Sequence, residues 1–240
     1  MPGYILPNGA QLNYTFDKAG LITIHSVILP KPAPTSISIP SQIDNMMVDE
    51  IADDCFRDSL LQKIELPNTV RYIGNNAFCN SSIREIILPK YLVSLDSFAF
   101  AYCNNLTDVI FGGGPKRIAH GCFQECLSLK NVRFSNDLEF IAHAAFMGCS
   151  SLNSIVFPKS IDSIANDAFS FCGLKTISFL GDKISLFNRT FYGNPRFTVH
   201  CVRGSPMDMH FDSIFPSGSI KKCNFSDIGS FLEDITDGYS

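Results

Sequence analysis

Seven phenylalanines recur along the chain at a nearly fixed interval. Phe56, Phe78, Phe100, Phe123, Phe146, Phe169 and Phe191 are spaced by 22, 22, 23, 23, 23 and 22 residues. Five residues before each stands Ile51, Ile73, Leu95, Ile118, Ile141, Ile164 or Leu186. The residue just before each is small: Cys55, Ala77, Ala99, Cys122, Ala145, Ala168 and Thr190. Three coupled rows at one period mark a repeat architecture. A unit this short cannot bury its own apolar side, so it must bury that side against its neighbours.

Each unit also carries a short alternating run. Ile64-Glu65-Leu66-Pro67 recurs as Ile86-Ile87-Leu88-Pro89, Val109-Ile110-Phe111, Val132-Arg133-Phe134, Ile155-Val156-Phe157-Pro158 and Ile177-Ser178-Phe179. Apolar residues two apart share one face of a strand. The Ile, small and Phe positions fall at i, i+4 and i+5, which predicts about one helical turn between strands. Stacked units then form a parallel sheet at about 4.8 Å spacing, with each Phe packed on the Phe above and below. The extra residue of the longer units falls between the Phe and the next strand, where a turn absorbs it.

The ends read differently. Leu12, Tyr14, Phe16, Ile22 and Ile24 alternate around Asp17-Lys18-Ala19-Gly20, which predicts a hairpin covering the first rung. Pro30, Pro32 and Pro34 lead into a first strand at Ile37-Ser38-Ile39, and that first unit has a five-residue insertion between Ile43 and Ile51. Phe197-Thr198-Val199 reads as the last strand, with an irregular cap from Gly204 to Cys223. Ile228, Phe231, Leu232 and Ile235 predict a short amphipathic helix, with Ser230 and Glu233 as its capping box, which either docks on the last repeat, the plainer reading, or binds a partner. The predicted organisation is therefore a cap and linker over 1–35, about seven repeats over 36–201, and a C-terminal cap with tail over 202–240.

The net charge of −4 resides in that tail, in Asp227, Glu233, Asp234 and Asp237. The rest has 19 acidic and 19 basic residues, and so lacks the basic excess that nucleic-acid binding requires. No apolar run approaches the roughly 18 residues of a membrane span, so no membrane insertion is expected. Met1-Pro2-Gly3-Tyr4 lacks the basic stretch and apolar core of a secretory signal.

These rows resemble the BspA-like leucine-rich-repeat family, whose repeat reads roughly L-x-x-I-x-L-P followed by A-F-x-x-C. Leu152, Ile155, Phe157, Pro158, Ile161, Ile164, Ala168, Phe169 and Cys172 follow it almost throughout, and the resemblance spans about residues 10–205. It implies a leucine-rich-repeat solenoid, with a parallel β-sheet on one face, short helical turns on the other and an N-terminal β-hairpin cap. It also implies a surface antigen that binds host or matrix proteins in adhesion, and hence a cell-surface or secreted location. The lack of an export signal and the nine cysteines fit the alternative, a cytoplasmic scaffold or adaptor.

Several constellations admit a chemical and a plain reading. Cys103, Cys126, Cys149 and Cys172 all stand three residues after a repeat Phe. Stacked neighbours lie within disulfide range, but the repeat's own spacing favours a ladder of buried thiols donating to turn carbonyls. His120 and His143 share a position with Asn75, Ser97, Asn166 and Asn188, which reads as a polar turn row, since no third ligand accompanies them for zinc. Gly112-Gly113-Gly114-Pro115-Lys116 lacks the Gly-Lys-Ser/Thr of a phosphate loop and reads as a turn. Sequons stand at Asn13, Asn80, Asn105, Asn188 and Asn224, where Asn- and Ser-rich turns also explain them. No catalytic motif, metal site or cofactor-binding motif emerges.

The candidate working surface is the outward face of the strands. One row holds Lys63, Glu85, Asp108, Asn131, Ser154 and Thr176, and the other Glu65, Ile87, Ile110, Arg133, Val156 and Ser178. Ile87, Ile110 and Val156 make an apolar stretch with a charged rim, a pattern that marks protein partners. The competing explanation is that β-branched residues simply suit a strand surface. The chain is thus expected to be a non-catalytic module binding a protein ligand through this face.

Overall fold

A computed structural model describes residues 1–181, 184–209 and the backbone of 221–225. The predicted tail helix at Ile228–Ile235 lies outside the described residues, as do the side chains of Cys223 and Asn224. The repeats stack as a β-solenoid with two faces of parallel strands.

The front face carries the longer strands. Asn131–Arg133, Asp108–Phe111, Glu85–Leu88, Lys63–Glu65 and Ser36–Ser38 lie side by side in that order. A second front sheet runs Ser154–Phe157, Thr176–Phe179, Thr198–Val202 and Lys221–Phe225. The strand at Lys221–Phe225, paired in parallel with Thr198–Val202, corrects the expectation of an irregular segment up to Cys223. A four-residue helix, Pro206–Met209, precedes it. Two-residue strands such as Ser94–Leu95, Phe140–Ile141 and Ser163–Ile164 line the other side of the solenoid.

At the start, Gln11–Phe16 and Leu21–Ile28 form an antiparallel hairpin, and Leu21–Ile28 also pairs in parallel with Met46–Ile51. The insertion before Ile51 makes a second hairpin, Gln42–Ile43 against Met46–Ile51. Its turn residues Asp44 and Asn45 have φ of 51° and 65°, the type I′ geometry that matches strand twist.

The aromatic spine is present in full. Successive rings from Phe56 to Phe191 stack at centroid distances of 5.1, 4.7, 5.3, 5.1, 5.0 and 5.8 Å. A second ladder, Phe111, Phe134, Phe157 and Phe179, runs beside it with spacings of 5.8, 5.9 and 5.0 Å. The two ladders meet edge to face, as in Phe157 against Phe169 at 5.4 Å. That arrangement suits the ring quadrupoles.

The expected helical turns are not formed. The run around Phe78 is a non-helical turn in which Asn76 and Asn80 have φ of 53° and 56°. Its amides alternate: Ala77 and Cys79 donate to carbonyls three residues back, while Phe78 donates to Ala99 of the next repeat at 2.7 Å. Phe100 to Cys122, Phe123 to Ala145 and Phe146 to Ala168 continue this ladder. Bonds between repeats therefore replace the i to i−4 bonds of a helix. The i, i+4, i+5 spacing puts the same side chains inward in either form.

Two of the left-handed positions flanking the Phe row are filled unusually. Phe98 at φ 58° and Phe171 at φ 57° are bulky where Gly or Asn is normal. Each ring lies over a glycine of the next repeat: a Cβ on Gly121 would come within 2.3 Å of the Phe98 ring, and one on Gly193 within 2.5 Å of the Phe171 ring. Bulk in one repeat is matched by a missing side chain in the next.

Candidate interaction face

The alternation within each front strand sends one set of side chains into the core and the other outward. Ile64, Ile86, Val109, Ile155 and Ile177 are buried, at 3 % exposure or less. Lys63, Glu65, Glu85, Ile87, Arg133 and Ser154 are exposed on the outward rows, and Asp108, Ile110, Asn131 and Val156 are half-buried there. Registry aligns the candidates of the first front sheet, while Ser154 and Val156 belong to the second. Asp108 is level with Glu85 and Asn131, and Ile110 with Ile87 and Arg133. Lys63 lies 3.3 Å from Glu65 and 3.6 Å from Glu85, and these carboxylates, Glu65 first, raise its pKa. Asn131 donates to Asp108 at 2.7 Å.

The outward face does not stay open along its length. Ser178, level with Val156 and His200, is only 2 % exposed. Burial also lowers the pKa of His200.

The front ladder breaks between Asn131–Arg133 and Ser154–Phe157, which bond only to their outer neighbours. The same two repeats stay joined elsewhere, through Phe140–Ile141 with Ser163–Ile164 and through Phe146 to Ala168. At the break Val132 and Phe134 are half-buried, whereas Val109 and Phe111 one repeat earlier are buried. Ser135, in the following connection, keeps a buried hydroxyl with no partner among the described residues. The result is a groove of about 470 Å³ with Ile110, Val132, Phe134 and Val156 in its walls and Asp108, Asn131 and Arg133 among its polar groups. The outward rows contained six of its thirteen lining residues. The half-buried Val132 and Phe134 were missed, because their sequence pattern matches that of the sealed rungs.

The cysteine row is a ladder of thiol hydrogen bonds. Cys103, Cys126, Cys149 and Cys172 donate to the carbonyls of Phe78, Phe100, Phe123 and Phe146 at 3.0, 3.1, 3.2 and 3.1 Å. Burial pushes the thiols of Cys122, Cys126 and Cys149 well above their ordinary pKa. A raised folded pKa stabilises the fold below the unfolded value of about 8.5, and that contribution is lost as pH rises further. Melting temperature is therefore expected to decline above about pH 8.5, and Cys122, Cys126 and Cys149 should resist alkylation at that pH until the chain is unfolded. Rapid alkylation of these three thiols in the native protein, mapped by peptide mass, would contradict this packing.

The two histidines stack at 5.1 Å with nearly parallel rings, and His143 Nδ1 lies 2.8 Å from the Asn166 carbonyl. They hold turns together in the polar row the sequence predicts. Among the described residues no three His, Cys, Asp or Glu side chains converge on a metal position, and no helix is long and apolar enough to cross a membrane. The glycine triplet is a connection bonded from Gly112 N to Leu88 O at 3.1 Å.

A family model for the BspA type leucine rich repeat region matches residues 23–126 and 116–235, with 6 copies of the repeat. The chain belongs to the BspA-type leucine-rich-repeat family. Among solved structures, the BspA-type fold of this chain is similar to a leucine rich repeat protein of T. pallidum, with 29% identity and a TM-score of 0.60 over 70% of this chain and 82% of that one. It is also similar to a leucine-rich repeat protein from Eubacterium ventriosum, with 23% identity and a TM-score of 0.61 over 80% of this chain and 50% of that one. The second likeness is one of fold alone. No curated protein matches the chain.

Proposed function

We propose that this BspA-type solenoid is a non-catalytic protein-binding module that works in adhesion, displayed at a cell surface and engaging host or matrix proteins. The observation that carries this reading is the front face, where outward charged and apolar side chains flank an apolar groove. Such a face binds by shape and side-chain complementarity without chemical change. The N-terminal hairpin serves as the cap of the stack, closing an edge that would otherwise pair with other chains. Ile110→Asp places a charge at the groove and is expected to abolish binding to immobilised matrix protein while leaving the melting temperature in place. Unchanged binding would sink this face as the site.

A second reading, an intracellular scaffold, draws support from the buried free thiols at Cys55, Cys79, Cys103, Cys122, Cys126, Cys149 and Cys172. A reducing compartment keeps such thiols unpaired. Protease shaving of intact cells, followed by blotting, separates the two readings. Loss of signal supports surface display, and a protected signal supports the scaffold.

A further inference from the structure

The front face holds a second cleft. A space of about 290 Å³ lies between the strands Lys63–Glu65 and Glu85–Leu88, lined by Lys63, Glu65, Glu85, Ile87 and Asn68 among others. Two carboxylates face one ammonium there, and the carboxylate of Asp108 stands on the next strand, level with Glu85. The cleft thus carries an excess of negative charge. The larger groove, around Val132 and Phe134, is mainly apolar. One face therefore presents an acidic subsite and an apolar subsite side by side.

Their separation follows from the stack. The smaller cleft lies between the second and third rungs of the front sheet, and the larger is centred on the fifth. Two to three strand spacings of about 4.8 Å make about 12 Å. An extended chain advances about 3.3 Å per residue, so the subsites are about four residues apart along a segment laid across the strands. Each of these strands is only three or four residues long and offers two outward positions. That width suits one extended segment. A stable contact between folded surfaces needs about 800 Å² from each partner.

We propose that the face takes an extended polypeptide segment carrying a Lys or Arg about four residues from a large apolar side chain, the cation seated by Glu65 and Glu85 and the apolar group in the groove at Val132 and Phe134. This rests on the reading of the front face as a protein-binding site and names the chemistry of its partner.

The test is selection of displayed linear peptides against the full chain. Enrichment of a basic residue about four positions from Phe, Tyr, Leu or Met is expected. Glu85→Lys should weaken a selected peptide about fivefold, an effect that fades as salt is raised. Val156→Asp should weaken it about tenfold or more. Replacing the cation or the apolar residue within the peptide must give matching losses, which holds even if a protein variant folds poorly. Peptides with no fixed spacing, or with acids in place of the base, would overturn the inference. Peptides of another pattern that still lose binding with Ile110→Asp would overturn it and leave the protein-binding reading standing. Recovery of no binder also overturns it alone, because the broader reading extends to folded partners.

Discussion

Phe123→Ala is expected to destabilise the chain by about 3–5 kcal/mol. The ring is fully buried, stacked on Phe100 at 5.3 Å and on Phe146 at 5.1 Å, and touched edge-on by Phe111 at 6.3 Å. Removing it takes contacts from both neighbours of the spine and leaves a cavity that parallel strands on either side cannot close. In a stack, each repeat is stabilised by the repeats beside it, so a central loss weakens two interfaces at once. Phe191→Ala makes the comparison: that ring is only half-buried, and its stacking contact with Phe169 is longer, at 5.8 Å. Its loss should cost clearly less. Urea unfolding of both variants decides it, and equal losses would mean the spine is not the continuous core described here.

Gly113→Ala should cost about 1–3 kcal/mol, though it adds a single methyl group at a half-exposed position. A Cβ at Gly113 would fall 2.3 Å from the backbone oxygen of Lys90. Lys90 belongs to the equivalent connection of the preceding repeat, and a backbone carbonyl cannot swing aside as a side chain can. Gly112 is similarly close to the Leu88 oxygen, at 2.8 Å. The glycines are there because two connections run in contact. A thermal melt of Gly113→Ala indistinguishable from the parent would show that the connection has room to move.

The front strands and the spine were legible because both rest on side-chain periodicity. Ile86 and Leu88 lie two apart and are both buried, and the Phe row recurs at the repeat length and is stacked. Inward and outward rows follow from such spacing without knowledge of the backbone path. The helical turn was not legible for the same reason. Spacing at i, i+4 and i+5 says which side chains turn inward, and it is silent on whether the Phe78 amide bonds within its own repeat or to Ala99 of the next. The competition between those acceptors is settled only when repeats are stacked. The thiol ladder sits between these cases. The shared offset of Cys103, Cys126, Cys149 and Cys172 was plain, while their acceptors, carbonyls of the preceding repeat, appear only across the stack.

The candidate face divides along the same line. All ten outward residues, from Lys63 to Val156, could be assigned from alternation, because a strand's pleat fixes the side each residue takes. The break beside Asn131–Arg133 could not be. Val132 and Phe134 have the same apolar pattern as Val109 and Phe111, yet the former pair is half-buried at a groove and the latter is sealed. Burial of a rung depends on whether its neighbour bonds to it, and that is a property of two repeats together. By itself, then, the sequence determined the repeat and the side of each strand on which a residue stands, since these are periodic properties of one chain segment. Only the tertiary structure decided where the ladder opens, which glycines have no space for a methyl group and how the turns are bonded, since each of these depends on the distance between one repeat and the next.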